Sequence, residues 1–590
     1  MKYEELTNDY LVTKAFKSYF LFSLMSVVVA TIGILIDGII IGNFFGNKEL
    51  AAFGIASPFI IVLLALSTVF GKGGIVACSN YVGRGEINQV NINFTVTLLV
   101  ATIISIIITL LTSFYINPLT LFLGAEGILI QLTTDYLFGL VLGTLPLILS
   151  QVLLSYIRLD GSPFLGMISA IIITIINIIL DILFATVLDL GLFGIGLATS
   201  ISYVIGTLIL CYHFLLKRNT LKFTKIKGGF EEIRNVIKLG LPSALNRLYI
   251  TFRSVLTNNL AIWIGGTVAI GALSIQTNIY QFLVSVSMGV GMTTILLGGV
   301  FFGEQDKKAL KYLLKVSLKY GLGITIPIAV ILIIFTPYIV GVFGNNPEIL
   351  STTIRSLRLF APSLPLALIC IVLLNYYNAT KNLLISNYIA FAHSFLFISL
   401  FALIATPLIG EDGIWLCFTV GEILTLIGLI FLIKYKYGKF PKSTEDFLLL
   451  DDNFEKDINS NLSISINGNM DEVMKLSNYV QEFGKNYPGK ENIINKLALC
   501  VEEMGGNIVE HGFKSCHNHH YIDVRIILTS KNVIFRIRDD GIPFNPIEYA
   551  NKCEKTENTM GIKIIQKIAT NMEYRHTIGL NNLTITFSGD

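Results

Sequence analysis

Carboxylates inside long apolar runs are the first residues in this chain with chemistry to offer. Asp37 lies late in the run 16–44, and Asp181 lies within 163–187, four residues after Asn177, so amide and acid share one helix face. Thr199, in the run 191–216, could add a hydroxyl from a facing wall. An ionisable group inside a membrane span costs at least about 2.5–3.5 kcal/mol, which makes each one a functional candidate. Two carboxylates, an amide oxygen and a hydroxyl are hard ligands suited to Na+, and two close carboxylates in a dry cavity can equally hold one proton between them.

Other internal charges bear on the same region. Lys72, in GKGG, could snorkel to the cytoplasmic interface, the commoner outcome, or neutralise Asp37. Arg247, Arg253 and Glu422 also fall in apolar runs, and no acid occurs from Leu241 to Gly303. That wall is cationic and leaves room for anionic or zwitterionic cargo, unless the arginines cap carbonyls or reach the interface.

A second group of residues lies toward the C-terminus. Glu503 and Asn507 are four apart in the helix pattern NKLALCVEEMGGNIVEHGF, Asp539 and Gly541 close the alternating strand NVIFRIRDDG, and Gly561 opens the helix TMGIKIIQKIATNM. A glycine at a helix start offers backbone N–H groups to phosphate. LSISI, YIDVRIIL and NLTITF read as further strands and DEVMKLSNYVQEFGKN as an amphipathic helix, so this region is mixed α+β. CHNHH at Cys516–His520 has spacings too tight for one tetrahedral metal site and reads as a solvated turn.

The elements that must position these groups differ in kind. The chain is 53% hydrophobic and 14% charged, with a mean hydropathy of +0.69, far from ordinary soluble proteins. Runs able to cross a bilayer fall near 16–44, 50–78, 93–114, 132–157, 163–187 and 191–216, then near 236–264, 268–302, 315–343, 354–377, 382–408 and 412–436. Lys222, Lys225 and Arg234 in the break after the sixth run, and Lys307, Lys308 and Lys311 in a later one, predict a multi-pass protein of a bacterial-type cell membrane with both ends cytoplasmic. No cleavable leader is read, and the singly spaced cysteines indicate neither a disulfide framework nor a zinc site. Nothing points to nucleic acid. Both sets of six runs open with an apolar span, a Gly-rich turn and a small-residue span, as in DGIIIGNFFGNKELAAFGIAS and NNLAIWIGGTVAIGALSI, a repeat that would place a substrate path between two rocking bundles.

The runs DGIIIGNFFG and LAAFGIASP, IRLDGSP followed by NIILDILF and GLFGIGLATSIS, and LGLPSALN resemble, in order, the multidrug and toxic compound extrusion family. The resemblance implies twelve helices in two pseudo-symmetric six-helix lobes, and antiport of drug-like compounds or metabolites against Na+ or H+. It carries the ion-coupling role to Asp37, Asn177, Asp181 and Thr199. Lys72 stands where that family usually has a small residue. The divisions expected are a first lobe with its basic loop over 1–236, a second lobe over 237–437, a linker over 438–460 and a cytosolic domain over 461–590.

The phrases VEEMGGNIVEHGF, RDDGIPFNP, MGIKIIQKIATNMEYR and NNLTITF resemble the GHKL ATPase superfamily, and within it the anti-sigma-factor serine kinase family. This implies an α+β sandwich that binds ATP. Asn507 would hold Mg2+ against the phosphates, Glu503 would act as base, Asp539 would accept from the adenine amino group, and Gly541 and Gly561 would let backbone approach the nucleotide. Asn558 and Thr559 stand where the family has glycines. No histidine-bearing dimerisation helix precedes the domain, and no Gly-x-x-x-x-Gly-Lys-Ser/Thr loop occurs. The expected protein is therefore a secondary exporter of small organic compounds whose tail regulates transport or phosphorylates a cytosolic antagonist-like partner. The alternative is a membrane sensor whose tail is an output serine/threonine kinase.

Overall fold

The structure is a computed structural model that describes residues 8–216, 219–226, 228–341, 347–451, 454, 456, 458–485, 491–513, 519–552 and 557–588. Two compact units result, one formed by Phe20–Leu449 and the other by Met1–Tyr19 with Leu450–Asp590. The opening residues thus group with the tail, where the sequence suggested the first lobe.

The first half of the membrane unit runs through α1 (Tyr10–Phe44), which belongs to this unit from Phe20 on, α2 (Asn47–Arg84), α3 (Ile87–Phe114), α4 (Ile116–Phe122), α5 (Ile128–Val141), α6 (Thr144–Leu159), α7 (Pro163–Thr186) and α8 (Gly191–Cys211). The second half follows as α9 (Gly229–Gly303), α10 (Lys307–Val340), α11 (Pro347–Phe360), α12 (Ser363–Ala379), α13 (Leu383–Phe391), α14 (Phe397–Ile409) and α15 (Asp412–Tyr437). Among the described residues nine helices are long and apolar enough to cross a membrane singly, and two bent pairs bring the count to eleven. The 75-residue α9 is broken at Gly266 (φ 56°, ψ −138°), a conformation that needs glycine, so it supplies two of the twelve expected spans.

The repeat is visible in the bends. The fourth span of each half is a broken pair, α5 with α6 at 50° and α11 with α12 at 48°. The fifth spans are α7 and the stretch Leu383–Ile409, which is interrupted by a π-helical turn at Ala392–Leu396. The sixth are α8 and α15.

Glycines let α2 and α9 meet backbone to backbone. A Cβ at Gly73 would lie 2.0 Å from the Val236 carbonyl oxygen, and one at Gly240 would lie 2.1 Å from that of Val69. Near the same ends, the Glu232 carboxylate of α9 accepts from the Tyr81 hydroxyl at 2.9 Å and from the Asn93 amide. Asn93 accepts in turn from the Tyr156 hydroxyl at 2.6 Å. This end of the interface between the halves is closed. Beyond α15 the chain stays on the membrane unit through Phe447 and Leu448, whose carbonyls accept from Tyr377 and Tyr376 at 2.8 and 3.2 Å. The first half of the expected linker is thus held in place.

The other unit is a sheet of β1 (Ile458–Asn467), β2 (Tyr521–Thr529), β3 (Asn532–Asp539), β4 (Asn571–Thr577) and β5 (Leu580–Ser588) in the order β1-β2-β3-β5-β4, antiparallel throughout. Its helices are α16 (Met470–Gly484), α17 (Glu491–Asn507), α18 (Pro546–Lys552) and α19 (Glu557–Ile568). Asn469 caps α16 by accepting from the Glu472 N–H at 2.9 Å. Ile493, Leu497, Val501 and Met504 form one stripe of α17 and join Ile526, Phe535 and Ile585 of the sheet in a single core. The sequence reading ran the last helix through Met572, but α19 ends at Ile568 and Asn571 begins β4. That edge strand is polar and only half-buried, so it lacks the alternation that marks the inner strands.

Candidate functional site

In the membrane unit, α7 presents Asn177 and Asp181 on one face, as their spacing requires, and the Asn177 amide donates to Asp181 Oδ2 at 3.0 Å. A side-chain hydrogen bond joins Asp181 to Asp37 on α1. Asp181 and Asn177 are buried, and Oδ1 of each acid is shielded from solvent without a hydrogen-bond partner. A buried carboxylate oxygen left bare is costly unless a proton or a cation reaches it. The donor set therefore fits either Na+ or a shared proton. Thr199 on α8 is set apart from this bonding, since its hydroxyl donates to the Ile195 carbonyl at 3.2 Å.

Two residues that the sequence reading passed over face these acids. Tyr136 of α5 interacts electrostatically with both, and Tyr203 of α8 with Asp37. Tyr203 lies one helical turn after Thr199, a spacing that could have pointed to it.

Lys72 neither pairs with Asp37 nor leads to a described acid. Its ammonium donates to Asn375 Oδ1 of α12 at 3.4 Å, and Arg247 of α9 is its charged neighbour. Arg247 Nε donates to Thr68 Oγ1 at 3.1 Å, across from α9 to α2. Two cations thus meet where the halves face one another. Arg253 instead turns inward, its guanidinium 5.1 Å from the Phe418 ring centre and 6.0 Å from that of Tyr280.

In the other unit, the register sets Asp539 of β3 opposite Ile522 on one side and Asn581 on the other. Asp539 Oδ1 accepts from the Gly541 N–H and from Asn581 Nδ2, each at 2.8 Å. Burial pushes this carboxyl up to about 6, with the Asn581 and Gly541 hydrogen bonds pulling the other way. Asn581 also donates to the Gly541 and Ile542 carbonyls and accepts from the Tyr574 hydroxyl at 2.7 Å, so it positions the whole Asp-x-Gly turn. The sequence reading did not find it, because only strand pairing brings it to Asp539.

Glu503 and Gly561 also come together. A Cβ at Gly561 would lie 1.7 Å from Glu503 Oε2, so the bare glycine leaves this carboxylate its place against α19. The helix begins at Glu557, so Gly561 stands in its second turn and does not open it as the sequence suggested. Asn507 stands one turn on from Glu503, where α17 passes into the π-helical turn Ile508–Gly512. The Gly512 carbonyl accepts from the Ile542 N–H at 3.1 Å, tying that turn to the Asp-x-Gly loop. An acid facing a bare glycine of α19, together with an oriented buried aspartate, fits a nucleotide. The side chains of Asn558 and Thr559 lie outside the described residues.

His520 corrects the reading of CHNHH as a solvated turn. It is 9% exposed, stacks on Phe513 at 4.4 Å and places Nδ1 3.1 Å from Asp540 Oδ1. Cys516 and His517 lie outside the described residues.

The folds and sites together define a membrane transporter body joined to an ATPase-like domain. The MatE family profile matches residues 23–183 and 242–403, and the chain belongs to that family. The Histidine kinase-like ATPase domain profile matches residues 466–587. The multidrug export protein MepA of Staphylococcus saprophyticus is 27% identical over 348 residues, 58% of this chain and 75% of that protein. Its counterpart in Staphylococcus haemolyticus is 26% identical over 331 residues, 55% and 72% of the two chains. Among solved structures, an outward-facing multidrug resistance MATE family transporter matches with a TM-score of 0.69 at 21% identity, covering 72% of this chain and 96% of that one. A MOP superfamily transporter from Pyrococcus furiosus matches with a TM-score of 0.68 at 21% identity, covering 73% and 97%.

Proposed function

We propose that the protein is a secondary exporter of small organic compounds, driven by inward exchange of Na+ or H+ and governed by an ATP-binding cytosolic domain. The observation that carries this reading is the hydrogen-bonded pair Asp37–Asp181 of the first lobe, with Asp181 buried and steadied by Asn177. A purely sensory body has no use for such a pair. Protonation or ion binding there would neutralise the acids and favour one arrangement of α1 against α7, while release would favour the other. Thr199 would join as a hydroxyl ligand in one of these arrangements. Lys72 and Arg247 give the path between the lobes a cationic surface suited to anionic or zwitterionic cargo.

The tail would bind ATP with Asp539 and Gly541 at the adenine and Gly561 at the phosphates. Mg2+ on Asn507 would supply charge neutralisation at the phosphate oxygens. Glu503 would accept a proton from water or from a partner's hydroxyl. Its output would be control of transport or phosphorylation of a small cytosolic protein, at a plasma membrane with both termini inside.

The test is efflux of a panel of dyes and metabolites from proteoliposomes under imposed Na+ or H+ gradients without ATP. Gradient-driven efflux that disappears in Asp181→Asn supports the exporter. Absence of efflux across the panel, with ATP-dependent phosphorylation of a partner instead, would favour the sensor kinase.

A further inference from the structure

The second lobe carries a buried titratable cluster that the ion site of the first lobe does not use. His393 Nδ1 lies 2.6 Å from Glu422 Oε1 and 2.8 Å from Oε2. Cys370 completes the group, with its sulfur and the ligand atoms of the other two all within 4.8 Å of one another. All three are at most 3% exposed. We infer that His393 and Glu422 form a proton-binding site of the second lobe.

Position in the repeat is the first argument. His393 sits on the fifth span of its half and Glu422 on the sixth, the spans that in the first half are α7, with Asn177 and Asp181, and α8, with Thr199. No acid of the seventh or eighth span could serve instead, since Leu241–Gly303 has none. The second argument is local geometry. His393 lies in the π-helical turn Ala392–Leu396, a device that re-aims one side chain and is frequent at functional sites. The third is energetic. A Cβ at Gly421 would lie 2.4 Å from Ile398, so α14 and α15 already pack closely, and an apolar pair would join them as well as an ionic one. Packing alone does not account for two ionisable groups there.

The groups facing the pair come from every neighbouring element. Cys370 of α12 hydrogen-bonds Glu422, Tyr280 of α9 interacts with Glu422 and Cys370, Arg253 of α9 interacts with Tyr280, and Tyr388 of α13 interacts with Cys370. In the loaded state one N–H bond forms at the imidazole, and imidazolium and carboxylate together are neutral. In the unloaded state that proton has returned to water and the pair carries one negative charge. The proton comes from water and goes to water, so no other reactant is needed.

The experiment records carbon-13 spectra of full-length protein in detergent with ring-labelled histidine, from roughly pH 5 to pH 9, for the wild type, H393Q, E422Q and D181N. One resonance should titrate in this window, vanish in H393Q and shift its midpoint by about one pH unit, tenfold in proton affinity, in E422Q. D181N should leave it in place. A His393 resonance that stays constant across the window would overturn the proposal in favour of a fixed packing bridge. Retention of one equivalent of zinc after chelator treatment, lost in C370A, would overturn it in favour of a metal centre. If E422Q fails to fold, Glu422→Asp supplies the shift. The coupling role alone rests on the exporter reading: failure of gradient-driven efflux with this titration intact would remove that reading and leave the proton site standing.

Discussion

Lys14 pairs its ammonium with Asp540, the residue directly after Asp539, and thereby holds the start of α1 to the end of β3. The Asp540 side chain is fully buried while Lys14 is 39% exposed, and Asp540 also accepts from the Tyr521 N–H at 3.3 Å. Tyr10 strengthens the contact by resting 4.5 Å from the Tyr521 ring and donating its hydroxyl to the His519 carbonyl at 2.8 Å. Lys14→Ala is expected to loosen residues 8–19 from the sheet at a cost below about 1 kcal/mol, because the lysine is partly solvated. Faster amide hydrogen exchange over that segment of the full-length protein checks this, and unchanged exchange would show that the tyrosine alone suffices.

Asp539 sets a pH dependence. Its carboxyl titrates at about 6 against 3.8 when unburied, so the folded state binds the proton more tightly than the unfolded one. Stability from this group is full below the lower value and is lost as pH rises through about 6, by about 3 kcal/mol at most. Asp539→Asn keeps an oxygen for Gly541 and Asn581 without the charge. The variant's tail should melt higher than wild type at pH 7 and equally near pH 4, and should lose binding of a fluorescent ATP analogue. Melting curves at the two values and a binding titration decide it.

Gly561→Ala is expected to displace Glu503, since the added carbon would meet Oε2 at 1.7 Å. ATP turnover or phosphoryl transfer should fall more than tenfold while analogue binding weakens less. Glu503→Ala should give bound nucleotide without transfer. Undiminished transfer in either variant would remove Glu503 as the base.

Asp181→Asn removes the acid that Asn177 and Asp37 both address. Gradient-driven efflux should be abolished and analogue binding by the tail should be unchanged. Efflux at the wild-type rate would place coupling elsewhere.

Glu232→Ala should loosen the closed end between the halves, because Tyr81 and Asn93 lose their shared acceptor. A cysteine introduced at Val69 should then react faster with a water-soluble maleimide. An unchanged rate would assign the closure to the glycine contacts of α2 with α9.

Much of this was readable from local pattern. Long apolar runs become helices because a bilayer leaves the backbone no other partner, and Asn177 with Asp181, or Glu503 with Asn507, share a face because a helix turns every 3.6 residues. Short-range rules of this kind act within one element and can be read from spacing alone. What they could not supply was pairing across elements. Asn581 meets Asp539 through the register of β5 on β3, Lys72 turns to Asn375 and not to Asp37, His520 is buried on Phe513, and Lys14 finds Asp540 more than 500 residues away. His393, Glu422 and Cys370 converge from three separate helices. The sequence by itself determined which segments are apolar enough to enter the membrane, which form the inner strands of the sheet and which residue types could do chemistry. Tertiary structure alone decided which of those residues meet, because close packing selects partners by shape and burial across distances along the chain that no local periodicity records.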